Sequence, residues 1–82
     1  MEAQGIYTIK DLKAEKYSRP FVQANDACGV REFHRSIRHE LGDIAEDFEL
    51  YKLGQWHEAE GLIEQFEKPQ FMLAGQMVTA DG

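Results

Sequence analysis

The chain has 82 residues and a formal net charge of −6, with 43% hydrophobic and 29% charged residues. That is enough for one domain with a modest core, and the composition is that of a folded chain rather than a disordered one. No apolar run approaches the roughly 20 residues that cross a bilayer, and a single cysteine, Cys28, excludes an internal disulfide.

A single domain over residues 1–82 is expected, frayed at about 1–4 and 77–82. The opening MEAQGIYTIKDLK lacks the basic-then-apolar layout of a signal peptide. A lone cysteine fits a reducing cytoplasm. Charge is uneven. Residues 1–41 hold seven Lys/Arg against six Asp/Glu, a net of +1; residues 42–82 hold two against nine, a net of −7. This polarity disfavours nonspecific nucleic-acid binding over the whole surface and leaves it open to the first half.

Ile6-Tyr7-Thr8-Ile9 reads as a first strand, rich in β-branched and aromatic residues. Lys10, Lys13, Lys16 and Arg19 then recur every three residues, but too few apolar residues accompany them to hold a helix, so a mobile, solvated loop is expected. Proline at 20 keeps Arg19 extended. Phe21-Val22 reads as a short edge segment that could pair back on the first strand.

Asn25 to Glu40 is the one helix, about four turns long. Val30, Phe33, Ile37 and Leu41 recur at spacings of three, four and four, which gives one apolar face. Asn25 or Asp26 can cap its start. Arg35, Arg38 and His39 suit the negative end of its dipole. Gly29 costs roughly 1 kcal/mol inside a helix against alanine, and would allow close approach to a sheet. Gly42 reads as the stop and Asp43–Asp47 as an acidic connector.

Phe48 to Leu53 is the strongest strand, continuing through Gln55-Trp56-His57; its alternation does not stay clean, so either both faces are partly covered or a bulge intervenes near Gly54. On an unbroken strand, Tyr51 and Trp56 would face opposite ways. Glu58 to Gly61 reads as a hairpin loop and Leu62–Phe66 as the returning strand. Pro69 reads as a break before a last short strand, Phe71-Met72-Leu73. The fold class is therefore α+β: one amphipathic helix on a mainly antiparallel sheet of about four or five short strands. The small core and the apolar residues on both faces of 48–53 suggest a homodimer or larger assembly.

Ile6-Tyr7-Thr8-Ile9-Lys10-Asp11, Pro20-Phe21-Val22, Asn25-Asp26-Ala27 leading to Arg31-Glu32-Phe33, Asp47-Phe48-Glu49-Leu50-Tyr51, Leu53-Gly54 and Gly61 occur in this order. The set resembles the small non-structural protein of gokushovirus-type microviruses, bacteriophages with small circular single-stranded DNA genomes. It extends from about residue 6 to residue 74. The resemblance implies a DNA-associated protein in the cytoplasm of a bacterial host, assisting the switch to single-stranded genome synthesis and packaging. It implies no catalytic residues. The chain departs from the pattern in the connector, where a longer Asn-Asp-Pro segment is replaced by Glu40 to Glu46.

Two basic sets are candidates for nucleic acid. Arg31, Arg35 and Arg38 line one helical stripe and suit phosphate. Tyr7, Lys10, Lys13, Lys16 and Tyr17 interleave rings with cations, a mixture that suits single strands. The ordinary reading of both is a solvated face, with Tyr7 in the core. Tyr51 and Trp56 read as core or interface anchors. His34 and His39 are five apart, outside the spacing that brings two helical ligands to one metal, and no cofactor is expected. Cys28 has no visible acid–base partner and reads as a small packed residue, so no enzyme is expected. Single-stranded DNA is the expected partner. The alternative is a basic replication protein held by the acidic second half, with this chain as an adaptor or DNA mimic.

Overall fold

The computed structural model describes residues 3–38 and 42–75. Strand β1 is Gln4–Asp11, β2 Lys16–Tyr17 and β3 Phe21–Gln23; helix α1 is Asp26–Ser36; a 3-10 helix, Gly42–Asp47, leads into β4, Phe48–His57, and β5 is Leu62–Ala74. All pairings are antiparallel. The sheet order is β2-β1-β4-β5, with β3 sharing the β2 edge of β1. Among the described residues one α-helix lies on this sheet, which is the expected α+β fold.

The helix starts where the capping chemistry places it. Asn25 is extended, and its side chain accepts from the Cys28 amide at 2.9 Å. Ile37 and Arg38 add one wider π-type turn. The apolar face meets the sheet through Phe33 and Ile37, both fully buried, beside Val30. These pack with Tyr7, Ala45, Phe48 and Leu50 into one core. His39, Glu40 and Leu41 lie outside the described residues, as do residues 76–82, where fraying was expected. At the other end Gln4 is already paired to Trp56, so the sheet begins inside the segment expected to fray.

Three expectations are corrected. Residues 10–19 are not an open loop. Asp11 Oδ1 accepts from the amides of Lys13 and Ala14 at 3.0 Å, Glu15 takes a left-handed φ of 57°, and the chain returns as β2. Pro69 does not break the last strand. Gln65 pairs Gly54 and Gln70 pairs Lys52, so residues 66–69 bow out opposite a single residue, Leu53. No ladder bond is required of the proline there, and β5 is an edge strand.

The third correction concerns parity. Against β1, Ile6 pairs Gly54 but Tyr7 pairs Lys52, leaving Leu53 as an extra residue. This bulge reverses the alternation beyond it. Tyr51, opposite Thr8, and Trp56, opposite Gln4, therefore share one face of the sheet rather than opposing ones. It is the face away from α1, and Ile6 lies on it. The helix side takes Tyr7, Ile9 and Leu50.

Candidate nucleic-acid interface

The two basic sets meet at one end of the molecule. The β1–β2 hairpin carries Lys13 in its turn and Lys16 and Tyr17 on its return. Asp11 lies on the helix side by alternation with Tyr7 and Ile9, and its partner Lys16 shares that side. On α1, residues 29, 33 and 37 point to the core, so Arg31, Arg35 and Arg38 fall on the opposite, exposed stripe. The last turn of the helix lies alongside the hairpin. A groove of about 350 Å³ separates them, lined by Ile9, Asp11, Lys16, Tyr17, Ser18, Ser36 and Phe48. Arg35 and Arg38 lie on the exposed outer stripe of the same end of the helix as Ser36, and Arg31 sits a turn before them.

The wall opposite the helix is well ordered by hydrogen bonds. Thr8 Oγ1 donates to the Ser18 carbonyl at 2.8 Å, the Ile9 amide donates to Ser18 Oγ at 3.0 Å, and the Ser18 amide donates to the Ile9 carbonyl at 2.8 Å. Tyr17 is 44% exposed. Lys10 Nζ lies 5.5 Å from the centre of its ring, a cation–π contact that keeps positive charge beside an accessible aromatic face. Arg35 reaches Glu32 only at 4.0 Å, and its side chain is 73% exposed, so its guanidinium is free to meet an anion. Among the described residues Asp11 is the one carboxylate lining the groove, and two backbone amides already occupy its Oδ1.

Tyr7 is excluded from the interface. It is fully buried, with its ring against Phe21 at 5.9 Å between centres. Its hydroxyl donates to Asp26 at 2.7 Å, and Lys52 Nζ donates to the same oxygen at 2.8 Å. Burial, then the hydrogen bond to Asp26, holds the Tyr7 phenol well above its ordinary range. The hydrogen bond from Lys52, then that from Tyr7, holds the Asp26 carboxyl below its own. This cluster ties the first turn of α1 to β1 and β4. It is architecture, not a binding surface.

The sequence did not reveal a row of rings across the face away from α1. Tyr17 and Phe71 each meet Tyr51 edge-on, with centres 5.7 Å apart. The Tyr51 phenol is pushed up to about 12, first by its hydrogen bond to Glu49 at 2.8 Å and then by burial. The three residues come from β2, β4 and β5, and only pairing register aligns them. The signal available beforehand was apolar residues on both faces of 48–53.

Among the described residues no group of three or more His, Cys, Asp or Glu is placed to hold a metal ion, and no helix is long and apolar enough to cross a membrane. Cys28 is half-buried, with Arg31 Nη2 at 3.8 Å from its sulfur. No curated protein and no solved structure matches the chain. A family model described as Phage ORF5 protein matches residues 4–78, nearly the whole chain, and the chain therefore belongs to that bacteriophage family.

Proposed function

We propose that this phage protein is a non-enzymatic accessory factor of the gokushovirus type that binds single-stranded DNA and assists the switch to single-stranded genome synthesis and packaging. One observation carries the reading: the groove between the end of α1 and the β1–β2 hairpin is lined by Lys16 and Tyr17 from the hairpin and by Ser36 from the helix, whose exposed outer stripe carries Arg35 and Arg38. Guanidinium and ammonium groups track phosphates, and an accessible ring beside them accepts a base of any identity. The net negative charge elsewhere confines the contact to this end.

Fluorescence anisotropy of labelled oligonucleotides tests it. Single strands are expected to bind in preference to duplex, with affinity falling steadily as salt rises. A folded protein that binds neither form at low salt overturns the reading.

A second reading rests on the β4–β5 hairpin, where Glu58, Glu60, Glu64 and Glu67 are all exposed. This surface suits a basic replication protein, with the chain acting as an adaptor. A partner retained after nuclease digestion in a pull-down supports that reading; one lost on digestion supports DNA.

A further inference from the structure

The face of the sheet away from α1 is too apolar to be an ordinary solvated surface. Val22, Ile63 and Phe71 are 46%, 68% and 53% exposed. By register Val22 lies opposite Ile6, Ile63 opposite Trp56, and Phe71 opposite Tyr51, so all three belong to this face. Beside the row of rings lies a groove of about 330 Å³ lined mainly by Ile6, Pro20, Leu53, Ile63, Phe66 and Pro69. The out-bowed residues 66–69 form its outer wall. A knob, Phe71, and a hole thus sit next to each other on one surface.

We propose that this face is the contact between two copies of the chain, packed sheet to sheet, with Phe71 of each protomer seated in the groove of its partner. Adjacent knob and hole are what a twofold interface requires, because each copy then supplies both halves of two identical contacts. Tyr, Trp and Phe are the residues enriched in such interface cores.

Charge selects the orientation. One end of the sheet carries Lys10, Lys13 and Lys16, interspersed with Asp11, Glu15 and Glu49, and the opposite end carries Glu58, Glu60 and Glu64. A twofold axis in the plane of the sheet and running across the strands sets the lysine-bearing end of one copy over the acidic end of the other. The same axis, passed between the row of rings and the groove, carries Phe71 onto the groove. An axis parallel to the strands would set like charges together and match knob to knob.

Size permits it as well. The molecule measures 41 × 24 × 17 Å, and its two longer dimensions frame enough surface for the roughly 800 Å² per partner of a stable interface. The helices end on the two outer surfaces, so Lys16 and the arginine stripe of α1 stay open in the dimer, while Tyr17, on the sheet face beside Tyr51, lies at the contact. The proposal stands apart from DNA binding, since its readout is the association state without nucleic acid.

Sedimentation equilibrium of the full chain, nuclease-treated and free of nucleic acid by absorbance, tests it. A dimer is expected that weakens with salt. Phe71→Glu and Ile63→Lys should each raise its dissociation constant about tenfold or more, and Arg35→Ala should leave it unchanged. Circular dichroism checks each variant for folding, and Ile63, the more exposed position, carries the test if Phe71→Glu does not fold. A folded wild-type monomer up to roughly 100 μM overturns the proposal. So does a dimer indifferent to a folded variant at these positions, or one that forms only when nucleic acid is present.

Discussion

Gly29 of α1 lies directly over the ring of Tyr7: a Cβ at position 29 would come within 2.9 Å of Tyr7 Cζ. The ring cannot retreat, because Phe21 stands beside it and Asp26 holds its hydroxyl. Gly29→Ala therefore sets two effects against each other. Helix propensity gains about 1 kcal/mol, and overpacking costs roughly 1–3 kcal/mol. With the ring pinned, the second wins, and a net loss of up to about 2 kcal/mol is expected as a lower urea midpoint at unchanged slope. A more stable variant would show that the helix can lift from the sheet at no cost.

The Asp26 cluster makes stability depend on acid. The Asp26 carboxyl is held below its unfolded value, first by Lys52 and then by Tyr7. Its contribution is therefore complete above the unfolded pKa, about 4, and is lost as pH falls through the folded one. With its side chain 57% exposed, the effect is screened and modest. Urea midpoints measured from pH 6 down to about pH 2 should fall less steeply for Asp26→Asn than for the wild type. Parallel curves would remove the cluster from the acid response.

The helix arginines should report on DNA through salt. Replacing Arg31, Arg35 and Arg38 together by alanine removes up to three phosphate contacts, which flattens the log–log salt dependence for single strands by about 2. Arg31 sits a turn from the groove, so Arg31→Ala alone should cost less affinity than Arg35→Ala or Arg38→Ala. Anisotropy titrations at several salt concentrations check both statements. An unchanged affinity and slope for the triple variant removes the helix from the site.

The β4–β5 turn separates conformation from space. Gly61 has φ of 69°, and nothing lies within 4 Å of where its Cβ would be. Gly61→Ala should therefore lose about 1 kcal/mol through the left-handed backbone alone. Gly61→Asn, better tolerated there, should lose less. Equal urea midpoints for the two variants would contradict this.

Much of the architecture is local and was legible in the residues themselves. Val30, Phe33 and Ile37 specify a helix and its buried face, Asn25 its start, and Glu58 to Gly61 a hairpin, because capping, periodicity and turn chemistry act within a few residues. The bulge near Gly54 was one of two readings that the broken alternation of 48–53 allowed. Its consequence was not legible: the extra residue at Leu53 turns Trp56 to the face of Tyr51, and parity beyond a bulge depends on the partner strand. Pro69 misled for the same reason, since a proline breaks a strand only where a ladder bond is demanded of it. Tyr7 and Tyr17, alike in sequence as rings among lysines, part in three dimensions. The helix covers one and the edge of the sheet leaves the other open. Residue types by themselves determined that basic charge lies in the first half of the chain. Only tertiary packing brought Lys16 of the hairpin and Ser36 at the end of α1 to the two sides of one groove, because that meeting depends on where a distant helix crosses the sheet.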